Sequence, residues 1–566
     1  MTQTAAPNRR LIAWFIGTTL FTFTVLMHIT FPNLGGTGLR MPQNATVWMG
    51  FGVMMAIAMW PAARGTIRYS NFHIGLGLLL LALWLPFLWS WNDASLIALP
   101  RMLTVTAGAI LLLGLAQLQL TRRDWWWLGF AILLGALLET ALSYVQLYWL
   151  EPGNWLGYDV ARRQPYGIFQ QRNVLASFLV TGLAVSAWLL GEAWKSWQRA
   201  ITLLAPLCMP AILWFNGSLT GWLAALIVIP MLLIHLRGLD SSHFKRWGGA
   251  LVLGCLLAGV LWTIEMAGLP RSADSIANNT GARWHVYTHS LRMIAEHPLA
   301  GWGYGRFQHD FLYSFADWRA AQPINQPEIV EPYIRQTFSH PHNELLLWGV
   351  EGGLLPMLAI LVFGGWALWH FFTHSPRGER LLLASLLTPL SLHSMTELPF
   401  YQSLTSWLSF LLLIHFASCR CWPIKEAKNR YTFIIKSGAC VFLPLFILFT
   451  ATHLHTLWKI QEITHPESET SKTDAISSII NPLGIPATLE FYIMTHQLRI
   501  ASKLGEEGYI NRYLKWADTY RKKRPSPEIF FNISTARGLL DNSAMHKHET
   551  LEIEHLFPAS KISLDG

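Results

Sequence analysis

Charged residues are scarce in this sequence. They make up 13% of its 566 residues, about half of the roughly 25% that is typical of a soluble globular protein. Hydrophobic residues make up 52%. This deficit of charge over such a length excludes an ordinary cytosolic enzyme and predicts a polytopic membrane protein. The net charge of +9 is compatible with nucleic acid or with an anionic membrane face, and the positions of the charges decide between them.

Cysteine is scarce as well, with five residues in the chain. Cys208, Cys255 and Cys440 lie inside apolar runs, whereas Cys419 and Cys421 lie outside them. This placement predicts neither a disulfide framework nor a four-cysteine metal site.

Long apolar runs are abundant instead. About thirteen are long enough, at roughly 17–25 residues, to cross a bilayer as helices. They begin near Leu11, Thr46, Phe72, Ile97, Trp125, Val174, Ile201, Leu219, Gly249, Leu345, Leu381, Ser403 and Phe433. The first run follows Arg9 and Arg10 without a clear cleavage site, so we interpret it as a retained signal anchor. The sequence therefore predicts an all-α polytopic membrane protein.

Basic residues concentrate in alternate connectors between these runs. The connectors contain Arg9, Arg10, Arg64, Arg68, Arg122, Arg123, Lys195, Arg199, Arg237, Lys245, Arg246, Arg377, Arg380, Arg420, Lys425, Lys428 and Arg430. This is the positive-inside pattern, which predicts a cytoplasmic N-terminus and, with an odd number of spans, an external C-terminus. The excess positive charge then reflects membrane topology, and no nucleic-acid partner is expected.

Three segments are predicted to face outward. They are a short loop at 151–172, a long loop at 270–341 and the tail from residue 453. Apolar residues recur at helical spacing in Thr488–Leu504 and Tyr509–Lys522, before a break at Pro525–Pro527. We therefore expect a transmembrane catalytic domain, 1–452, and a helical domain, 453–566, with one visible helix-hairpin unit of the TPR kind.

The short loop ends in a run of arginines and amides. Its last residues are Arg162, Arg163, Gln164, Pro165, Tyr166, Gly167, Ile168, Phe169, Gln170, Gln171, Arg172 and Asn173. Arginine at a membrane interface is well shaped to bind phosphate or diphosphate oxygens bidentately. The alternative is that these arginines contact lipid headgroups or anchor the loop at the interface.

The long loop carries a second cluster. Arg283 is expected to begin a helix from which it can project into a lumen. Further along, Gly301-Trp302-Gly303-Tyr304-Gly305 alternates small and aromatic residues, which suits a tight turn or stacking on a sugar ring. For Arg306, which follows, a structural salt bridge is as good an interpretation as a functional role.

The long loop closes with a third cluster, His340-Pro341-His342-Asn343-Glu344, just before an apolar run. A histidine at this position can act as a base, or polarise an acceptor hydroxyl, near neutral pH. The competing interpretation is a metal site that uses His285, His289, His340 and His342 as ligands. No carboxylate or thiolate spacing completes a known zinc signature, so we predict no metal.

The fourth cluster, 395–402, connects two apolar runs. Glu397 places an acid near the membrane boundary, where ionisable residues are functional candidates by default. The alternative is that Glu397 only pairs with one of the loop arginines. Tyr401 follows in the same connector. All four clusters are predicted to lie on the outer face of the membrane.

The order of these motifs resembles the O-antigen ligase superfamily. The shared features are a Tyr-Gly-x-Phe-x-Gln-x-Asn loop, an arginine that starts a helix leading to Glu-His-Pro-Leu-x-Gly-x-Gly, a His-x-His-Asn before a span, and a Glu-x-Pro connector, within Tyr166–Gln402. Within that superfamily the sequence looks most similar to bacterial O-linked oligosaccharyltransferases of the pilin-glycosylating type. The outward helical tail fits this protein-glycosylating branch better than it fits lipopolysaccharide ligases.

The resemblance implies an enzyme of the bacterial inner membrane with its active site on the periplasmic side. Such enzymes move a glycan en bloc from undecaprenyl diphosphate to a serine or threonine of a periplasmic or pilin protein. Membrane lipid surrounds the enzyme, and no cofactor is implied. A single displacement predicts inversion at the anomeric carbon without a metal.

The resemblance also implies roles for individual residues. His342 matches the catalytic histidine, with His340 and Asn343 beside it, and Arg283 matches the arginine that contacts the diphosphate. Gln171 and Asn173 match an amide pair, and Tyr401 matches an aromatic hydroxyl, for which Gln402 is the alternative. Where the family more often has Gly-Gln-Pro, this chain has Gln170-Gln171-Arg172. Either glutamine could therefore take the role, and Arg172, together with Arg163, adds a phosphate contact.

Other functions differ in the acceptor or in the class of protein. An O-antigen ligase would transfer the glycan to lipid A core, and a repeat-unit polymerase would transfer it to another lipid-linked glycan. Outside this class, a transporter of lipid-linked sugars would show an internal repeat with broken helices in matching halves. The sequence shows no such halves.

Overall fold

The protein consists almost entirely of helices. The structure, a computed structural model, describes residues 8–265, 273–322, 338–464, 469–540 and 543–557. Within these ranges the chain forms 23 α-helices and one two-stranded sheet. The all-α architecture predicted from the sequence is confirmed.

The helices follow one another with short connections. The first eleven are α1 (Arg9–Thr24), α2 (Pro42–Met59), α3 (Asn71–Trp84), α4 (Ser95–Leu118), α5 (Arg122–Tyr148), α6 (Arg172–Gly191), α7 (Ser196–Asn216), α8 (Leu219–Leu239), α9 (Ser241–Glu265), α10 (Ala273–Glu296) and α11 (Phe307–Ala320). The others are α12 (Glu344–Gly352), α13 (Leu354–His374), α14 (Arg380–Ser394), α15 (Pro399–Gln402), α16 (Leu404–Cys421), α17 (Thr432–Ser437), α18 (Leu443–Thr464), α19 (Glu469–Ser477), α20 (Pro486–Leu504), α21 (Glu507–Tyr520), α22 (Pro527–Leu539) and α23 (Ser543–Leu556). Strands β1 (Thr66–Tyr69) and β2 (Lys425–Lys428) pair antiparallel.

Twelve helices in the described part of the chain are long and apolar enough to cross a membrane. They are α1 to α9, α13, α16 and the continuous stretch Thr432–Thr464. The protein is therefore a multi-pass membrane protein.

Of the about thirteen predicted spans, only the run that begins near Leu381 does not meet this measure, and it still joins a basic connector to the 395–402 connector, so the odd number of crossings stays a prediction. The run that begins near Leu381 forms α14, which has 15 residues. At 1.5 Å per residue it is about 22 Å long, short of the ~30 Å hydrocarbon core of a bilayer. The span predicted from Leu345 begins at Leu354 instead, because Gly353, with a φ of 79°, separates α12 from α13.

The chain divides into two compact units. Unit 1 comprises Met1–Leu78, Thr104–Pro270 and Phe363–Gly484, and unit 2 comprises Leu79–Leu103, Arg271–Val362 and Ile485–Gly566. The predicted domains, 1–452 and 453–566, stay a prediction, and their boundary falls inside α18. Parts of the predicted outer loop, residues 270–272 and 323–337, lie outside the described residues.

In unit 1, α6 is the central helix and packs against α5, α7, α8 and α14. Small residues let these helices approach closely, which drives helix association where lipid is as apolar as the side chains. A Cβ on Gly221 of α8 would lie 2.4 Å from the Cβ of Ala176 in α6. A Cβ on Gly182 of α6 would lie 2.7 Å from the Cβ of Ala136 in α5.

The basic connectors of unit 1 contact one another. Arg9 Nη1 lies 2.8 Å from Asp124 Oδ2, and Arg420 Nη1 lies 3.0 Å from Glu379 Oε1. Strands β1 and β2 join one further basic connector to the connector of Arg420, with Arg68 opposite Glu426. These connectors therefore lie at one end of unit 1, as the positive-inside pattern requires. That this end is cytoplasmic stays a prediction.

In unit 2, the last four helices share a core with α11. Successive helices from α20 to α23 pack on one another, and Leu514, Phe530 and Leu556 are buried together with Ala316 of α11. The helical periodicity predicted for this part of the tail is confirmed, because α20 covers the first periodic stretch and α21 covers the second as far as Tyr520. Helix α22 begins at Pro527, the end of the predicted break.

Candidate active site

The loop that precedes α6 is bound by polar side chains of α5, within unit 1. Gln146 Nε2 donates to the Gly167 carbonyl at 2.9 Å, and Gln146 Oε1 accepts from the amides of Tyr166 and Gly167 at 3.0 and 2.9 Å. Two turns earlier on α5, Glu139 Oε2 accepts from the Ile168 amide at 2.9 Å. These hydrogen bonds satisfy loop backbone groups that have no helical partner.

Glu139 is an acid inside a membrane-spanning helix, and it is fully buried. Its Oε1 lies 3.2 Å from His28 Nε2. Gly167 packs directly against it: the glycine has a φ of 60°, and a Cβ there would lie 2.0 Å from Glu139 Oε2. The motif glycine is therefore required both by its backbone conformation and by this close approach. Sequence reasoning missed Glu139 and Gln146, although an acid within an apolar run is a recognisable signal.

The first turn of α2 connects the first and fourth predicted clusters. Gln43 Nε2 donates to the Ile168 carbonyl at 2.8 Å. The next residue, Asn44, donates to the Gln402 carbonyl at 2.8 Å and accepts from the Leu404 amide at 3.0 Å. The structure thus brings the loop before α6 and the 395–402 connector to the same part of unit 1.

Helix α8 makes a second connection between these two clusters. Ser218 Oγ donates to Asn173 Oδ1 at 2.7 Å, and Thr220 Oγ1 lies 3.1 Å from Thr396 Oγ1. Asn173 therefore has a structural partner in Ser218, the N-cap of α8.

Four predicted residues lie around the start of α6. Gln171 is its N-cap residue, and its Oε1 is buried without a partner in the described structure. Arg172 Nη1 donates to Gln164 Oε1 at 2.5 Å. Arg163 and Gln170 both have positive φ angles, 48° and 55°.

Glu397 and Tyr401 lie in the connector that follows α14. Glu397 is 4% exposed, and its amide donates to the His393 carbonyl at 2.9 Å. The Tyr401 hydroxyl is buried without a hydrogen-bond partner among the described residues. A buried phenol without a partner costs free energy unless a ligand or water completes it.

His342 lies in unit 2, immediately before α12, with its backbone held in the left-handed region at a φ of 53°. Its amide donates to His340 Nδ1 at 3.1 Å, and its carbonyl accepts from the Tyr287 hydroxyl at 3.0 Å. Asn343 caps α12 by accepting from the Leu346 amide at 3.0 Å. The third cluster is thus a constrained turn that presents a half-buried histidine.

The prediction that Arg283 begins a helix is wrong. Helix α10 begins at Ala273, ten residues earlier, and continues through Gly281, because a single glycine does not end it. Arg283 and Tyr287 are four residues apart on this helix, so they lie on one face. Since Tyr287 contacts the carbonyl of His342, the structure brings the second and third clusters together within unit 2.

Four non-glycine residues of the described chain have a positive φ, and three of them are Arg163, Gln170 and His342. Such conformations cost roughly 1–3 kcal/mol and persist where the surroundings enforce them, often at functional sites. The strain coincides with residues that the motifs single out.

The Gly301–Gly305 motif is a tight turn. Its three glycines have φ angles of 67°, 102° and 83°, and a Cβ on Gly305 would lie 2.1 Å from the Ala94 carbonyl oxygen. Tyr304 is fully buried, and its hydroxyl donates to the Leu83 carbonyl at 2.6 Å. The alternative of sugar stacking is therefore wrong for Tyr304.

Arg306 forms a bidentate salt bridge with Asp310, through Nε to Oδ2 at 2.8 Å and Nη2 to Oδ1 at 2.5 Å. His309 Nδ1 lies 2.7 Å from the same carboxylate. Burial raises the pKa of Asp310, but the hydrogen bonds from His309 and Arg306 outweigh it and hold that pKa below its usual range. Of the two interpretations of Arg306, the geometry favours the structural one.

Unit 2 also contains a buried ion pair that the sequence did not reveal. Arg101 Nη2 contacts Glu351 Oε2 at 2.5 Å, and the Arg101 guanidinium lies 4.3 Å from the centre of the Trp348 ring. Burial raises the pKa of Glu344, at the other end of α12, to about 8. Arg101 was missed because one arginine at the edge of an apolar run carries no pattern.

The proposed four-histidine metal set does not form. His289 lies among aromatic rings, with Nε2 2.9 Å from Ser314 Oγ, and burial lowers its pKa to about 4. Within the described ranges, neither His285 nor His289 belongs to a group of three potential metal ligands. A group in α23 includes Glu549 and Glu552, whose carboxylates pair with Arg521.

Two family models match this chain. The model described as "O-Antigen ligase" matches residues 168–361, and the model described as "Virulence factor membrane-bound polymerase, C-terminal" matches residues 381–564. No curated protein matches it. The first match confirms the resemblance to the O-antigen ligase superfamily that the motifs carry.

These two matches and the twelve apolar helices together support a multi-pass membrane protein of the glycosyl-transferring ligase and polymerase type. The family implies a lipid-linked oligosaccharide donor and an acceptor. The first family match contains Gln171, Asn173, Arg283 and His342, and the second contains Glu397 and Tyr401.

Proposed function

We propose that this protein is an O-linked oligosaccharyltransferase of the bacterial inner membrane. It moves a glycan en bloc from undecaprenyl diphosphate to a serine or threonine of a periplasmic or pilin-type protein, on the periplasmic side. The observation that carries this proposal is the His342 turn. A motif histidine is held in a strained conformation, with its backbone fixed on both sides, directly before a capped helix.

His342 is the base that activates the acceptor. The acceptor hydroxyl oxygen forms a bond to the anomeric carbon while the bond from that carbon to the diphosphate breaks, and the hydroxyl proton passes to the imidazole. Undecaprenyl diphosphate leaves with the bonding electron pair. Because this is one displacement, the anomeric configuration inverts, and neither a metal nor a cofactor takes part.

Arginines stabilise the departing diphosphate. Arg283, Arg172 and Arg163 provide guanidinium groups, which bind phosphate oxygens bidentately. Charge grows on the leaving group in the transition state, so preorganised cations there lower the barrier by up to several kcal/mol. Gln171, with Gln170 beside it, and Tyr401 supply polar groups for the donor, and the buried atoms without partners on Gln171 and Tyr401 support this assignment.

The helical tail supports a protein acceptor over lipid A core. Helices α20 to α23 form a core with α11, so these helices of the tail are packed elements of unit 2. An ordered helical surface suits recognition of a polypeptide, whereas a lipid acceptor reaches the enzyme through the membrane.

A repeat-unit polymerase is the second candidate. It is favoured by the match of residues 381–564 to a model described as a membrane-bound polymerase. The polymerase would use the same donor and the same base, and its acceptor would be another lipid-linked glycan. An O-antigen ligase with lipid A core as acceptor is the remaining alternative.

Co-expression with a lipid-linked glycan pathway and a candidate pilin tests the proposal. Intact-mass measurement should show the pilin heavier by one whole glycan. Glycan on lipid A core would instead indicate a ligase, and long lipid-linked chains would indicate a polymerase.

His342→Asn is the matched inactive variant. Asparagine tolerates the left-handed conformation of this turn but cannot act as the base, so backbone strain does not confound the result. We expect no glycosylated pilin and normal membrane insertion. Full glycan transfer by His342→Asn would refute the role of His342.

A further inference from the structure

Arg40 is a half-buried cation with no partner in the part of the chain that the structure describes. It lies in the connector between α1 and α2, and its Nε is buried. Among the described residues, its guanidinium has no hydrogen bond, ion pair or aromatic contact. Removing a guanidinium from water without a counter-charge is costly, so such a group is expected to bind an anion. The positive-inside pattern also gives no reason for an arginine in this connector.

The Arg40 connector lies beside the loop that precedes α6. A Cβ on Gly36, which has a φ of 107°, would lie 3.4 Å from Arg40 Cζ. A Cβ on the adjacent Gly35 would lie 3.5 Å from Gln170 Oε1. The two glycines therefore let the connector pass close to both side chains.

The same connector lies beside the 395–402 segment. Asn44 Nδ2, one turn into α2, donates both to the Gly38 carbonyl at 3.0 Å and to the Gln402 carbonyl at 2.8 Å. Arg40 is thus placed in unit 1 between the two clusters that contain Gln171 and Tyr401.

The segments that meet at this connector carry buried polar atoms without partners among the described residues. They are Gln43 Oε1, Gln171 Oε1, Tyr401 Oη and Gln402 Oε1. Amide oxygens accept hydrogen bonds, and the hydroxyl groups of a sugar can donate them. One cation beside several unused acceptors matches a ligand with an anionic end and a hydroxyl-rich end, which describes a glycosyl phosphate.

We infer that Arg40 is a donor-binding residue whose guanidinium binds a phosphate oxygen of the lipid-linked glycan diphosphate. Gln43 Oε1, one turn further along the chain, accepts a hydrogen bond from the attached glycan. This inference rests on the proposed function, because that function supplies the diphosphate. A phospholipid headgroup offers the same phosphate chemistry and must be distinguished by experiment.

The experiment measures binding to the full-length protein in a neutral detergent. The probes are undecaprenyl diphosphate, uncharged undecaprenol and phosphatidylglycerol. We expect the wild-type protein to bind the diphosphate most tightly. Arg40→Gln should weaken binding of the diphosphate by about tenfold to a hundredfold, the range for a hydrogen bond to a charged group, and leave binding of undecaprenol unchanged.

Two further variants complete the design. Arg199→Gln removes a partly exposed arginine at the start of α7, which lies in a predicted cytoplasmic connector, and should leave all three affinities unchanged. Arg40→Lys keeps the charge without the bidentate geometry, so it should lose affinity several-fold. The melting temperature shows whether Arg40→Gln folds. If it does not, Arg40→Lys still tests the site.

The outcomes separate the two claims. If the wild-type protein does not prefer undecaprenyl diphosphate to undecaprenol, the proposed function fails. If it does, and both Arg40 variants bind the diphosphate as tightly as the wild type, the inference about Arg40 is overturned while the proposed function stands. Equal loss of phosphatidylglycerol and undecaprenyl diphosphate would also overturn it, by identifying a headgroup site.

Discussion

Gly167 illustrates how one residue shapes the loop before α6. Gly167→Ala should lower both the melting temperature and glycan transfer, because the new Cβ would displace the carboxylate of Glu139 and break its hydrogen bond to Ile168. A buried amide left without a partner costs about 1–3 kcal/mol. The left-handed φ costs about 1–2 kcal/mol more.

The control for this prediction is Gly157→Ala in the same loop. Gly157 has a similar φ of 64° and no atom within 4 Å of its Cβ position, so only the backbone cost remains. Thermal unfolding of the two variants in detergent measures the difference. Equal melting temperatures would show that Glu139 does not restrict this position.

Because of Glu344, we expect the free energy of unfolding to depend on pH. Burial raises its pKa to about 8 in the folded protein, whereas an unfolded glutamate titrates near about 4.3. The folded state therefore keeps the proton that the unfolded state loses. The stabilisation that this retained proton gives the folded state is complete below about pH 4 and is lost as the pH rises through about 8.

Glu344→Gln should remove this part of the pH dependence, since glutamine does not titrate. Melting temperatures from pH 5 to pH 9 measure the slope, and Glu151→Gln in an exposed loop is the control that should keep it. An unchanged slope in Glu344→Gln would show that Glu344 titrates normally.

Sequence motifs located some of the important residues and missed others for a physical reason. His342, Gln171 and Arg283 belong to ordered motifs that can be read from the chain. Arg40 and Arg101 are single arginines in or beside apolar runs, and nothing local marks them. Only the fold reveals what makes them notable, which is that Arg101 is buried against Glu351 and that the buried Nε of Arg40 has no partner among the described residues.

At the scale of elements, sequence reasoning succeeded where periodicity was strong. The bounds of α20 and α21 follow the apolar repeat, and proline marks the start of α22. It failed for α14, because hydropathy does not show where a short apolar helix ends. Sequence reasoning also placed the start of α10 ten residues too late, since no capping signal was recognised at Ala273.

The packing of α11 on the tail leads to a prediction for this element. The Tyr313 hydroxyl donates to Glu552 Oε1 at 2.7 Å, and Gln308 Nε2 donates to the Pro525 carbonyl at 2.8 Å. Tyr313→Phe should cost about 1 kcal/mol and speed hydrogen exchange in α11 and α23. Tyr431→Phe, at an exposed tyrosine, is the control. Unchanged exchange in Tyr313→Phe would show that this contact does not hold the tail.

At the scale of the whole molecule, the distribution of charge predicts membrane topology. The connectors with basic residues contact one another at one end of unit 1, which supports their location on a single side. Alkaline phosphatase, which is active only outside the cytoplasm, should be active when fused after residue 157 or 566 and inactive after residue 123 or 240. Activity at residue 240 would contradict the proposed orientation.

The central claim is transfer of a whole glycan from a lipid diphosphate by His342. It is tested most directly with the purified protein in lipid nanodiscs, a lipid-linked glycan and an acceptor pilin. We predict that undecaprenyl diphosphate and singly glycosylated pilin appear in equal amounts, and that His342→Asn produces neither. Release of undecaprenyl diphosphate without glycosylated pilin, or equal amounts of both from His342→Asn, would contradict it.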